Sequence, residues 1–152
     1  MPIPTVYRIF FLYLDPLIAA SGVYMAFFMP SKFIDGFLPP SIAPYSPLQQ
    51  SFLLHQLGGA LLLCIILDLF LLRKTNEVWI WKAQQAGQLV YDVAMLAGVY
   101  QALQLQGRLS LHGLRAEDWG TVAITGICGV VRAFFCAGVG LRKVKGKGRR
   151  LQ

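Results

Sequence analysis

The chain is 152 residues long, 56% hydrophobic and 14% charged, with a mean hydropathy of +0.56 and a pI near 9.6. The apolar share exceeds the roughly 45–50% of a soluble domain, and the charge falls below the usual ~25%. A soluble domain, a disordered chain and a disulfide scaffold are thereby excluded.

The formal net charge of +7 comes from 14 basic and 7 acidic residues. Six of the basic ones (Arg142, Lys143, Lys145, Lys147, Arg149 and Arg150) stand together in residues 142–152 with no acid among them. The remainder is nearly neutral. Basic character confined to one terminal segment is not the basic face of a nucleic-acid binder, so no nucleic acid is expected as a partner.

A helix crossing the hydrocarbon core needs about 20 mostly apolar residues, and four stretches supply them. In chain order they are residues 7–29, 48–72, 79–105 and 119–141. The fold class expected is therefore all-α: a four-helix transmembrane bundle over residues 1–141, followed by a basic cytoplasmic tail at 142–152. In the first stretch, Asp15-Pro16 interrupts the apolar region and hydrophobicity continues to Met29, which favours a retained helix over a cleaved signal. The connection from Pro30 to Pro47 contains five prolines and belongs outside the lipid, because it cannot satisfy its backbone internally. Tyr7, Tyr45, Trp79, Trp81 and Trp119 stand near span ends, where an interfacial aromatic belt sits.

Orientation follows from Lys and Arg in the short flanking segments. Arg8, the second connection (Arg73, Lys74, Lys82) and the tail outweigh the first connection (Lys32) and the third (Arg108, Arg115). Both termini should face the cytoplasm. The three cysteines, Cys64, Cys128 and Cys136, all lie inside spans without metal-ligand spacing to a histidine. They read as small apolar residues rather than as a zinc site or a disulfide. No cofactor and no metal is expected.

Depth singles out the chemistry. At 1.5 Å per residue, Asp15 lies about 12 Å inside span one, Asp92 about 15–20 Å inside span three, and Arg132 about 13–14 Å from the same face in span four. A charge at the bilayer centre costs roughly 2.5–3.5 kcal/mol on insertion scales, so three at one depth mark a candidate site. Neither carboxylate has an opposite charge at helical spacing in its own span, so the three must meet across helices, face water or carry protons. One reading is an ion pair that locks the bundle. The other is acid/base catalysis, in which one acid stays ionised beside Arg132 while the other transfers a proton.

Gln85, Gln88 and Asp92 share one face of span three, with Gln84 and Tyr91 beside it. If that face lines a polar cavity, Gln85, Gln88 and Tyr91 are candidate substrate-binding residues; the alternative is that the glutamines only hydrogen-bond neighbouring helices. Ser51 and His55 lie near the far end of span two. His55 reads either as a hydrogen-bonded interfacial histidine or as a cavity-facing proton carrier, in which case it joins the candidate substrate-binding residues. Asp68, near the cytoplasmic end beside Arg73 and Lys74, reads as a snorkelling carboxylate. Small residues recur every fourth position at Thr125, Gly129, Ala133 and Ala137, and at Ala94, Gly98 and Ala102, the pattern of close helix packing in membranes.

The string Pro4-x-x-Tyr7-Arg8-x-x-Phe11-Leu12-Tyr13-x-Asp15-Pro16-x-x-Ala19-x-x-Gly22-x-Tyr24 resembles the opening of a family of short, four-helix fungal membrane proteins. That family bears only a domain-of-unknown-function name. The likeness continues through Val78-Trp79 to the Asp92 segment, and ends in Trp119-Gly120 and Arg132-x-x-Phe135-x-x-Gly138-x-Gly140. It implies the fold, a fungal source and an acidic or amide-bearing position in span two that Asp68 would fill. It also implies, by association with gene clusters in some members, a role in secondary metabolism.

Three functions follow as expectations. The first is a cofactor-free isomerase or cyclase on a lipophilic terpenoid or polyketide intermediate, with Asp15, Asp92 and Arg132 as catalytic residues in a water-poor bundle. The alternative is a non-catalytic membrane scaffold or accessory subunit, partnered by the lipid bilayer, a second copy of the chain or pathway enzymes. Its basic tail would attract anionic lipid at about 1 kcal/mol per Lys or Arg, and Arg149-Arg150 suggests the endoplasmic reticulum. The third is a small proton-coupled exporter, which the strong Lys/Arg bias and the arginine beside the acid disfavour.

Overall fold

The computed structural model describes residues 3–110 and 112–141. Their architecture is all-α. The elements are α1 (Thr5–Phe28), the short α2 (Pro30–Asp35), α3 (Pro47–Lys74), α4 (Val78–Leu105) and α5 (Ala116–Ala137). α1, α3 and α5 are each long and apolar enough to cross a membrane. α4 is longer than α5, at 28 residues, but Gln84, Gln85, Gln88, Gln101, Gln104 and Asp92 dilute its hydropathy.

Polarity is inverted relative to a soluble protein. Leu48, Phe52, Phe70, Val90, Ile127 and Phe134 are exposed, whereas Asp15, Asp68, Gln85, Gln88, Asp92 and Arg132 are buried. Hydrocarbon on the outside is the environment that permits this arrangement. The chain is a small multi-span membrane protein.

Local chemistry sets the element ends and irregularities. Met29 leaves helical geometry at φ −135° and Pro30 restarts the chain as α2. At the start of α5, Oδ2 of Asp118 accepts from the Arg115 backbone N–H at 2.8 Å, satisfying a donor at the helix start. α5 stops at Ala137 because Gly138 takes φ +86°, a left-handed cap. The helix therefore ends before Leu141, where sequence placed the end of the span. The basic segment 142–152 lies outside the described residues.

Two π-turns interrupt the ladder, at Phe10–Leu14 in α1 and Leu67–Leu71 in α3. In the first, the Asp15 N–H reaches back to the Phe10 carbonyl. Pro16 has no N–H for the Leu12 carbonyl, and Arg73 Nη2 approaches that oxygen at 3.5 Å. Each π-turn adjoins or contains a buried aspartate, Asp15 or Asp68, as such turns do at functional sites.

The long helices associate as two pairs, α1 on α3 and α4 on α5. Backbone approach between the pairs is sparse. At one end all four long helices meet in an aromatic cluster: Phe11 (α1), Leu72 (α3), Trp81 (α4) and Phe135 (α5) are fully buried, with Ile3 and Leu12 beside them. The rings of Phe11 and Phe135 lie edge-on, centroids 5.3 Å apart, a favourable aromatic geometry. At the other end a smaller cluster of Ala26, Phe33 and Leu54 joins α1, α2 and α3 only.

The small-residue stripes do not behave as their spacing suggests. Ala94 and Gly98 of α4, and Ala133 and Ala137 of α5, are exposed. In α4 the polar residues decide which face turns inward, and they place that stripe outside. Close approach occurs instead at Gly58, where an added Cβ would lie 2.9 Å from the Phe27 ring, and at Gly22, where it would meet Leu61 at 3.0 Å. Gly129 of the α5 stripe does face inward, toward Asp92 and Leu89.

Two adjacent glycines test this packing. Gly58→Ile should force α1 and α3 apart and destabilise the protein by about 1–3 kcal/mol. Gly59→Ile, where nothing lies within 4 Å, should stay within about 0.5 kcal/mol of wild type. Thermal unfolding of both variants in the same detergent checks the difference.

Candidate functional site

Arg132, five residues before the end of α5, is the hub. Its Nη2 donates to both carboxylate oxygens of Asp15 on α1, at 2.7 Å each. Nη1 donates to Oδ2 of Asp92 on α4. Nε faces the side-chain carbonyls of Gln88 at 3.1 Å and Gln85 at 3.3 Å. All three guanidinium nitrogens are engaged, and the residue is buried.

The two glutamines extend the network to α3. Having used their carbonyl oxygens on Arg132, they turn their amides to Asp68: Gln88 Nε2 donates to Oδ2 at 2.8 Å, and Gln85 Nε2 to Oδ1 at 3.4 Å. Gln84 adds a donor to Oδ1 at 3.4 Å. A glutamine side chain carries one acceptor and two donors, which suits it to stand between a guanidinium and a carboxylate. The cluster thus links all four long helices. It also crosses the seam between the two pairs, through Arg132–Asp15 and through Gln88–Asp68.

Three carboxylates share one guanidinium. Ionised together they would leave two negative charges uncompensated in a low-dielectric interior, which needs protons or a bound cation to become neutral. Among the described residues no group of three His, Cys, Asp or Glu side chains is placed to hold a metal ion.

Beside the cluster, between the helix pairs, lies a cavity of about 370 Å³. Asp15, Asp68, Asp92, Gln88 and Arg132 form its polar end. Its walls are apolar (Leu61, Met95 and Ile124 among them), and its far end reaches Phe33, Phe37 and Glu117. The volume falls within the roughly 300–1,000 Å³ of small-molecule sites, and a mostly apolar lining with a few polar groups is their usual composition. The aromatic cluster closes the bundle on the opposite side of the charges.

Of the sequence candidates, Asp15, Asp92, Arg132, Gln85 and Gln88 come together in one network. Tyr91 lines the cavity, and Gln85 sits fully buried behind the wall. His55 does not join them. It is exposed, its Nδ1 lies 2.7 Å from the Ser51 carbonyl, and its ring stands edge-on to Phe27 at 5.4 Å.

Asp68 is the residue that sequence reasoning underrated. It is 2% exposed and points inward, not toward Arg73 and Lys74 at the surface. A signal existed: Leu54, Gly58, Leu61, Asp68 and Leu72 fall on one helical stripe, and all five face inward or line the cavity.

The family described as Domain of unknown function (DUF7704) matches residues 1–142. The chain belongs to the DUF7704 family. The match spans every residue of the polar cluster and of the cavity wall. No curated protein and no solved structure matches the chain.

Removing the hub of this DUF7704 domain should be costly. Arg132→Met leaves Asp15 and Asp92 buried without their donor, and a loss of about 3–5 kcal/mol is expected. A double-mutant cycle of Asp15→Asn with Arg132→Gln should return a coupling above about 1 kcal/mol. Unfolding midpoints in nanodiscs provide the measurement.

Proposed function

We propose that the chain spans the membrane four times with both termini in the cytoplasm, and serves a fungal lipophilic-metabolite pathway as a ligand-binding accessory subunit. The observation that carries this reading is the apolar cavity between two helix pairs, ending on a cluster whose guanidinium is wholly occupied. An arginine with every nitrogen engaged by Asp15, Asp92, Gln85 and Gln88 is suited to hold a scaffold in register. The cavity gives that scaffold something to bind.

The fourth span is α4, whose 28 residues extend about 42 Å, more than the ~30 Å hydrocarbon core. Orientation is supported by Arg8, Arg73, Lys74 and Lys82 at the aromatic-cluster end. At the opposite end Arg108 and Arg115 are tied to Asp118. The Arg149-Arg150 pair favours the endoplasmic reticulum.

A second reading, a cofactor-free isomerase or cyclase, is favoured by the carboxylates of Asp15 and Asp92 on the cavity wall. There a proton could pass to a bound alkene, epoxide or carbonyl away from water. Gln88 and Tyr91 would contact the substrate.

Two measurements test these readings. Glycosylation sequons introduced into the 36–46 connection should be modified in microsomes, and sequons at 75–77 should not; the reverse pattern overturns the orientation. Purified protein incubated with pathway intermediates should bind without converting them. Turnover lost in both Asp15→Asn and Asp92→Asn would replace the accessory reading with the enzymatic one.

A further inference from the structure

The cavity also carries information about the head group of its ligand. Asp92 is its most telling wall residue. The side chain is 7% exposed, and Arg132 donates to Oδ2. Among the described residues nothing donates to Oδ1. Among the described residues no fully occluded side-chain oxygen or nitrogen lacks a partner, so this unpartnered oxygen is open to the cavity that Asp92 lines. The hydroxyl of Tyr91, on the same wall, likewise makes no hydrogen bond among the described residues. A buried acceptor left open toward a cavity is a place where a donor belongs.

Charge specifies the donor further. The wall carries Asp15, Asp68, Asp92 and Glu117 against one cation, Arg132. With these acids ionised, a carboxylate or phosphate head would add to the negative charge, and a neutral head would leave it standing. A cationic donor neutralises it and makes the stronger, charge-assisted hydrogen bond. The rest of the cavity is mostly apolar: Ile18, Leu61, Met95 and Ile124 lead from the polar end toward Phe37, with Thr121, Thr125 and Glu117 as its polar exceptions.

We infer that this cavity receives an amphiphilic amine. Its ammonium donates to Oδ1 of Asp92 beside the Tyr91 hydroxyl, and its apolar body lies between the helix pairs toward Phe37. The inference rests on the proposal that the cavity is a ligand site, and specifies the chemistry of that ligand.

Three probes of one shape separate the possibilities: 1-aminoadamantane, 1-adamantanol and adamantane-1-carboxylate. Binding of the tritiated amine to the full chain in phosphatidylcholine nanodiscs, with empty nanodiscs subtracted, should be saturable. The alcohol should compete at least ten-fold more weakly, and the carboxylate not at all. Asp92→Asn should abolish the preference for the amine. Tyr91→Phe, which leaves the Arg132 contacts intact, should weaken amine binding several-fold even if Asp92→Asn fails to fold. Ala19→Phe, which fills the cavity one turn from Asp15, should remove binding of all three. Equal binding of amine and alcohol, or an amine preference unchanged in Tyr91→Phe and in folded Asp92→Asn, overturns the amine assignment while leaving a ligand site. No saturable binding of any probe, or binding that survives Ala19→Phe, overturns both.

Discussion

The guanidinium of Arg132, held between Asp15 of α1 and Asp92 of α4, is the constraint on which the arrangement of helices depends. The α1–α3 and α4–α5 pairs touch each other little along their length. Lipid supplies no hydrophobic drive to push them together. What crosses the seam at mid-depth is polar: Arg132 to Asp15, and Gln88 to Asp68. In hydrocarbon, no solvent competes for these groups, and each has a large penalty if left unmade. A few hydrogen bonds there hold what an apolar interface would hold in water.

The same constraint produces the cavity. Aromatic packing of Phe11, Trp81 and Phe135 draws the four long helices together at one end, and the polar cluster fixes their separation next to it. Beyond that level the cluster of Ala26, Phe33 and Leu54 ties α1, α2 and α3 together. The pairs therefore part on the side away from the aromatic cluster. The space between them is walled by carboxylates at its deep end and by aliphatic side chains above. The π-turns at Phe10–Leu14 and Leu67–Leu71 belong to the same design. Each adds a residue to a helical turn, which rotates the stretch carrying Asp15 or Asp68 relative to an unbroken helix.

Much of this was legible residue by residue. Depth counted from the span ends brings Asp15, Asp92 and Arg132 to one level, and helical spacing puts Gln85, Gln88 and Asp92 on one face. Both follow from a fixed rise and a fixed turn per residue. Asp68 adjoins Arg73 and Lys74 in sequence, which suggests a snorkelling carboxylate, but its place on the Leu54–Leu72 stripe turns it inward. His55 has the chemistry of a site residue, but its helical phase turns it outward. The Ala94–Gly98 stripe shows the general difficulty: a four-residue period defines a face, and a period cannot say what that face meets.

By itself the sequence determined that the chain is an all-α, multi-span membrane protein and that Asp15, Asp92 and Arg132 stand inside its long helices, because composition and the geometry of a single helix are local properties. Only the tertiary structure decided which charges share a partner, that Asp68 joins them through two glutamines, and that a cavity lies beside them. Those outcomes depend on the rotation of each helix about its axis relative to its neighbours. That rotation is set by contacts between residues as far apart as Asp15 and Arg132, which no local pattern encodes.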